Sequence, residues 1–236
     1  MQDKISVNKF ISDTGYCSRR EADKYIEQGR VHINGKVAKK GNRVSFDDEV
    51  TVDFEAVIKK KKKKKQNIYL VVNKADGIVC TTDKKEKDNI VDYVNYPKRI
   101  FPIGRLDKNS TGLILMTNDG DIVNKILREE NNHEKEYVVT TNKPVTGEFI
   151  EGMSNGVRIM GTRTKKCKVK RLGKTSFSIT LTQGLNRQIR RMCNAFDYKV
   201  VTLHRVRIMN ITLGQLKVGQ YRHLTDDELK TLFSLL

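Results

Sequence analysis

The chain has 236 residues, 37% of them hydrophobic, and carries 46 Lys and Arg against 28 Asp and Glu, a formal net charge of +18. That length suits one or two domains, and no window approaches the roughly 18 consecutive apolar residues of a membrane-spanning helix. So large a basic excess points to a polyanionic partner, with nucleic acid the commonest.

The charge is unevenly placed. Residues 1–58 hold ten basic and ten acidic side chains, residues 59–65 are seven consecutive lysines, and residues 66–236 hold the other 29 basic and 18 acidic ones. The start, with Gln2, Asp3 and Lys4, lacks the apolar core of a secretion signal, so the cytoplasm is the expected compartment. Cys17, Cys80, Cys167 and Cys193 form no C-x-x-C pair, and His32, His133, His204 and His223 are equally scattered. No metal is expected from such spacing. Neither G-x-G-x-x-G nor G-x-x-x-x-G-K-[ST] occurs, so no nucleotide cofactor is expected either.

In chain order, Val7, Phe10 and Ile11 predict a short helix ending by Gly15. Ser18-Arg19-Arg20-Glu21 reads as a capping box opening a second helix, with Ala22, Tyr25 and Ile26 on its apolar face and Gly29 past its end. Val31-His32-Ile33 alternates like a strand, Asn34-Gly35 is a strong hairpin signal, and a further strand is predicted at about Glu49 to Phe54. Arg19, Arg20 and Lys24 fall on the first turns of the second helix, and Lys36 leaves the hairpin. A basic face in a neutral module is a candidate RNA contact, although a merely solvated face has the same composition. Val7-Asn8-Lys9-Phe10-Ile11, Gly15, Ser18 to Ala22, Gly29, Val31 and Asn34-Gly35-Lys36 together resemble an S4 RNA-binding domain. The resemblance implies that Lys9, Arg19, Arg20, Lys24 and Lys36 meet structured RNA. Lys59 to Lys65 predicts an extended linker with sequence-blind affinity for phosphates.

Beyond it, Ile68 to Val72 is an apolar strand, with Asn73 to Gly77 read as a turn. Gly104-Arg105-Leu106-Asp107-Lys108-Asn109-Ser110-Thr111-Gly112 is a polar loop feeding the buried strand Leu113 to Met116, so Asp107 should lie close to a sheet. The neighbouring cations favour a carboxylate there, suited to act as base, nucleophile or charge stabiliser. An Asp beside glycine more often just ties a turn. Asp121 is a candidate cap for a helix to about Arg128. Glu136 to Thr140, Cys167 to Lys170, Phe177 to Leu181, Val200 to Arg207 and about Met209 to Leu213 read as strands. Thr146 opens a short helix, and Thr225-Asp226-Asp227-Glu228 caps a closing one with Leu229, Leu232 and Phe233 inward. Between Gly184 and Cys193 the period changes from 2 to 3.6, placing Ile189, Met192, Cys193 and Phe196 on one face and Arg187, Arg190 and Arg191 on the other. A glycine-led loop entering an arginine-rich helix suits a phosphate or a carboxylate. Strands outnumber helices, so the fold class is α+β, with a mixed, largely antiparallel sheet and flanking helices behind the small helix-pair domain.

These stretches resemble the catalytic domain of the pseudouridine synthases of the RsuA/RluB/RluE/RluF group, over about residues 67–228. Gly104-Arg105-Leu106-Asp107 with Thr111-Gly112-Leu113 matches the group's signature motif, which implies that Asp107 is catalytic. His133 to Tyr137 matches the segment whose tyrosine packs on the target base, implying that role for Tyr137. Gly184 to Met192 matches the third motif, which implies that Arg190 pairs with the catalytic carboxylate. His133 to Val138 and Thr164 to Val169 most resemble the RluF branch of that group. Ala75 departs from the group, which usually has Pro there. The expected organisation is an S4 domain over 1–58, a linker over 59–66 and a catalytic domain over 67–236. The implied activity is cofactor-free isomerisation of uridine in structured RNA, with large-subunit (23S) ribosomal RNA favoured and tRNA open. The chain is expected to work without a membrane and as a monomer, with Arg105 entering the space left by the extruded uridine and Arg187 and Arg191 meeting phosphates. A non-catalytic RNA-binding protein and a glycosidic-bond hydrolase are the competing readings; the hydrolase would call for two carboxylates across the bond.

Overall fold

Two compact units, Met1–Gln66 and Asn67–Leu236, divide the chain. The computed structural model describes residues 4–45, 47–57 and 67–236. The lysine run and the 59–66 linker expectation lie outside the described residues.

The first unit starts with β1 (Ile5–Ser6), α1 (Val7–Asp13) and α2 (Arg19–Glu27). The Ser18 hydroxyl accepts from the Glu21 amide while the Glu21 carboxylate accepts from the Ser18 amide, so the predicted capping box is formed in full. Strands β2 (Val31–Ile33), β3 (Lys36–Val37), β4 (Arg43–Val44), β5 (Val50–Val52) and β6 (Glu55–Ala56) follow. Asn34 and Gly35 take φ of +50° and +77°, the turn their sequence calls for. The strand expected at Glu49 to Phe54 is shorter than that. Asp53 and Phe54 have positive φ and turn the chain from β5 into β6. Val7, Phe10 and Ile11 of α1, Ala22 and Ile26 of α2, and Val31, Val50 and Val52 of the sheet close one small core.

The second unit contains β7 (Tyr69–Lys74), α3 (Ile90–Val94), β8 (Phe101–Ile103), β9 (Thr111–Thr117), α4 (Asp121–Leu127), β10 (Lys135–Thr141) and α5 (Gly147–Ser154). After these come β11 (Arg158–Ile159), β12 (Thr162–Arg163), β13 (Lys168–Arg171), β14 (Ser176–Leu181), α6 (Gln188–Asn194), β15 (Val200–Ile208), β16 (Ile211–Thr212), β17 (Tyr221–His223) and α7 (Asp226–Ser234). The main sheet runs β13-β14-β10-β15-β9-β7-β17, with β16 beside β15 and β8 beside β9. Among the described pairings β15 with β9 is parallel and the others in this sheet are antiparallel. The fold is the mixed, mostly antiparallel α+β arrangement that the strand-rich pattern predicts.

Period-2 alternation explains how both faces of β7 are buried. Tyr69 and Val71 join α4 and α7 in one core, while Leu70 and Val72 join α3 and Leu106 in another. A third core, under β10 and β14, holds Phe149 and Met153 of α5 and Ile189, Met192 and Cys193 of α6.

Three local expectations need correction. Asn73 and Lys74 are not turn residues: β7 continues through them, paired with Leu113 and Gly112 of β9. Gly120, rather than Asp121, occupies the cap position of α4, and the Asp121 amide donates to Asp119 Oδ1 at 3.0 Å. Phe233 of α7 does not point inward. It is half-exposed and meets the edge of the Tyr69 ring, while Leu232 is buried.

Candidate active site

Asp107 lies on the loop between β8 and β9, part-way exposed at the margin of the main sheet. Gly112 lets this loop enter the sheet beside β15. It has φ of +98°, and a Cβ there would come within 2.3 Å of the Arg205 carbonyl oxygen. Below the loop, the Lys74 side chain is fully buried, and its ammonium donates to the carbonyls of Ala75 (2.8 Å), Lys108 (3.1 Å) and Ser110 (2.7 Å). Burial lowers the Lys74 pKa, and the opposing pull of Cys80, Asp76 and Asp107 favours the charged form. The Gly77 amide also donates to the Lys108 carbonyl, the Leu106 amide to Cys80 Sγ, and the Ser110 amide to the Asp107 carbonyl. The loop is therefore fixed from below by a single buried cation and from within by its own backbone.

Around it lie three arginines. Arg190 of α6 donates to the Asn109 carbonyl at 2.6 Å and to the Val200 carbonyl at 3.2 Å. The expected Arg190–Asp107 pair is not formed; the guanidinium beside the carboxylate is that of Arg187, Nη1 to Oδ2 3.8 Å. The reason is local. Arg187 is not on the helix but precedes it, at φ +50°, and this turns its side chain toward Asp107 while Arg190 grips backbone. Arg205 of β15 is buried and donates from Nε to the Leu113 carbonyl at 2.7 Å. Its guanidinium lies 5.9 Å from the centre of the Tyr137 ring, within cation–π reach. Tyr137 packs against the core that contains Leu106, the residue before Asp107. Ser110 Oγ, Arg190 Nε and Arg205 Nη2 are buried polar atoms that find no partner among the described residues. His204, whose pKa burial lowers, accepts or donates at 2.8 Å to the Thr111 hydroxyl.

Arg105 and Arg191 are exposed, and Arg191 bonds the Asn186 carbonyl and amide oxygens. In the first unit, Arg19, Arg20 and Lys24 are exposed along α2, Lys36 is exposed on β3, and Lys9 is half-buried on α1. Sequence reasoning missed Lys74 and Arg205. Lys74 sits at the end of an apolar run, where a lysine reads as the start of a loop. Arg205 shares a strand face with buried Leu203, two residues before it, a spacing that does give a signal for an inward cation.

Comparison with known proteins places this geometry. Residues 68–195 match the RNA pseudouridylate synthase model, and residues 6–50 match the S4 domain. The chain belongs to the RNA pseudouridylate synthase family. The dual-specificity RNA pseudouridine synthase RluF of Escherichia coli strain K12 is 56% identical over 232 residues, covering 98% of this chain and 79% of that protein. The ribosomal large subunit pseudouridine synthase B of Bacillus subtilis strain 168 is 33% identical, covering 97% and 96%. A crystal structure of a pseudouridylate synthase superposes with a TM-score of 0.70 at 32% identity, covering 97% of this chain and 99% of that one. The synthase is thus an isomerase that converts uridine to pseudouridine in RNA and carries an S4 RNA-binding domain. Among the described residues no helix is long and apolar enough to cross a membrane.

Proposed function

We propose that this synthase isomerises uridine in large-subunit (23S) ribosomal RNA, with Asp107 as the catalytic carboxylate and Tyr137 as the surface on which the target base rests. The observation that carries the reading is the Asp107 loop itself. Its backbone is held by Lys74 and Arg190, and it lies beside Arg187 and the core that Tyr137 caps. The ribosomal substrate rests on the likeness to the ribosomal large subunit pseudouridine synthase B of B. subtilis. Residues 1–58 act as the S4 docking domain, 59–66 as a linker and 67–236 as the catalytic domain, a division supported by the extents of the two family matches. The enzyme works in the cytoplasm as a monomer, where its proposed ribosomal substrate is made.

The reaction breaks N1–C1′, turns the uracil and joins C5 to C1′; C5 loses a proton and N1 gains one, so atoms balance without a redox partner. Asp107 supplies a carboxylate able to act as nucleophile or base. Arg187 offsets its charge, Arg190 holds the neighbouring carbonyl, and Arg105 occupies the stack once the uridine leaves it. Release of tritium from [5-³H]uridine in an unmodified transcript measures turnover directly. Asp107→Asn keeps the size of the side chain and should lower kcat to about a thousandth of wild type or less. Turnover near wild type in that variant overturns the assignment.

A further inference from the structure

Beside the Asp107 loop, α6 and the β11–β12 hairpin border an open, solvent-facing cavity of about 620 Å³, within the range that holds a nucleotide. Its cationic lining is Arg158, Arg187, Arg190, Arg191 and Lys199, with no carboxylate among the lining residues. It is continuous with the proposed catalytic loop, since Arg187 reaches Asp107 and Arg190 reaches the Asn109 carbonyl. Arg158 and Lys199 are exposed and form no ion pair among the described residues, so their charge is available to a ligand. At the tip of the hairpin Met160 is 61% exposed and takes φ of +49°, followed by Gly161 at +77°. Asn or Gly would hold that turn at lower cost than a bulky apolar residue, so the side chain that stands there needs another reason. A thioether is polarisable and packs well on an aromatic ring.

We propose that this cavity is a second RNA subsite: Arg158 and Lys199 hold the phosphates of an unpaired nucleotide flanking the target uridine, and Met160 covers its base. This rests on the proposed function and deepens it. The charge pattern selects a polyanion, and continuity with the Asp107 loop places that polyanion on the strand carrying the target. A nucleotide pinned here would help to keep the neighbouring uridine extruded, so the subsite acts on RNA affinity and site selection rather than on the bond exchange.

The test uses the full chain and an unmodified large-subunit rRNA transcript carrying [5-³H]uridine. Arg158→Glu/Lys199→Glu should raise KM at least tenfold while kcat at saturating RNA stays within about twofold. The slope of log affinity against log salt should fall by about 1.4, as for two single-strand phosphates. Met160→Gly should raise KM about threefold without changing that slope. Lys170→Glu/Lys174→Glu, on β13 and the turn after it, makes the same change in net charge elsewhere and should alter KM less than threefold. A KM within threefold of wild type for the first variant, or an equal rise for the charge-matched control, overturns the proposal. Arg158→Gln/Lys199→Gln, checked by circular dichroism, gives the same test in a milder form should the double charge reversal fail to fold. If wild-type protein releases no tritium from the transcript, the function reading fails by itself. Filter retention of the transcript then tests the subsite separately, and an unchanged Kd in the variant overturns it.

Discussion

Helix α2 and the Asp107 loop both carry several cations, and they use them in opposite ways. On α2, Arg19, Arg20 and Lys24 are exposed and make no ion pair among the described residues, while Glu21 turns back to cap its own helix. Around the loop, Lys74 and Arg205 are buried, and together with Arg190 they direct their donors to the carbonyls of Ala75, Lys108, Asn109, Ser110, Leu113 and Val200. A cation left in water keeps its charge for a phosphate. A cation satisfied by carbonyls fixes backbone geometry instead, and a side chain carried by that backbone inherits the precision. Basic residues in one chain therefore divide into those that should govern affinity for RNA and those that should govern turnover.

The strongest challenge to this division is Lys74→Met, which keeps length and volume but removes the donor. The carbonyls of Ala75, Lys108 and Ser110, the last of them buried, would lose their shared partner, at a cost of about 2 kcal/mol. The thermal midpoint of the second unit should fall by roughly 4–8 °C, and kcat at saturating RNA by about 100-fold, as expected when a reacting group shifts by an ångström. Calorimetry and single-turnover tritium release measure the two effects. A variant that loses stability yet keeps kcat within threefold would show that Lys74 supports the fold without positioning Asp107.

A second comparison sharpens the point within α6 and its approach. Arg190→Ala should lower kcat by roughly 30-fold, because the Asn109 and Val200 carbonyls lose the fork that joins them. Arg190→Lys should recover little, since one ammonium cannot reproduce both directed bonds. Arg187→Ala should cost less than about tenfold, for its guanidinium is exposed and stands 3.8 Å from the carboxylate. The reverse order would restore the direct Arg190–Asp107 partnership implied by the family motif.

That order also shows where sequence stopped being sufficient. The capping boxes at Ser18 and Thr225, the Asn34-Gly35 turn and the buried run in β9 were legible because each depends on residues within four positions of one another. Asp107 was legible through its loop between glycines and its motif. Lys74 was not, because what makes a lysine acceptable there is a set of carbonyls 34 and 36 residues further along the chain. Arg187 was assigned to the helix by its spacing, but one left-handed φ before the first turn redirects it, and periodicity carries no information about that angle. Asp53 and Phe54 failed for the same reason.

For the exposed set, Arg19→Ala/Arg20→Ala/Lys24→Ala should raise KM for the rRNA transcript about tenfold and leave kcat at saturation within twofold. The salt slope should become shallower by about 2, in proportion to the phosphates no longer contacted. Rates measured across RNA concentration at several salt levels separate the two parameters. A fall in kcat with unchanged KM would mean that α2 bears on the chemical step, and the division between the two sets of cations would be lost.

The smallest effect concerns an ion pair that belongs to neither set. Arg222 on β17 donates to both carboxylate oxygens of Glu228 on α7, at 2.7 and 2.8 Å, and the Glu228 side chain also accepts from the Thr225 amide. The Arg222 bonds hold the Glu228 carboxyl below its ordinary pKa, and burial opposes them. A carboxyl whose folded pKa lies below its unfolded value contributes stability above the unfolded value, about 4.3, and loses it as pH falls through the folded one. Glu228→Gln should therefore lower stability at pH 7 by about 1 kcal/mol, or roughly 2–4 °C in midpoint. The difference from wild type should shrink once the pH passes below 4, where the wild-type carboxyl takes up its proton. Activity at pH 7 and 25 °C should be unchanged, since neither residue touches the Asp107 loop. Thermal melts of both proteins at pH 7, 5 and 3.5 provide the check. A midpoint difference that stays constant down to pH 3.5 would assign the stabilisation to packing and the neutral cap, not to the charge.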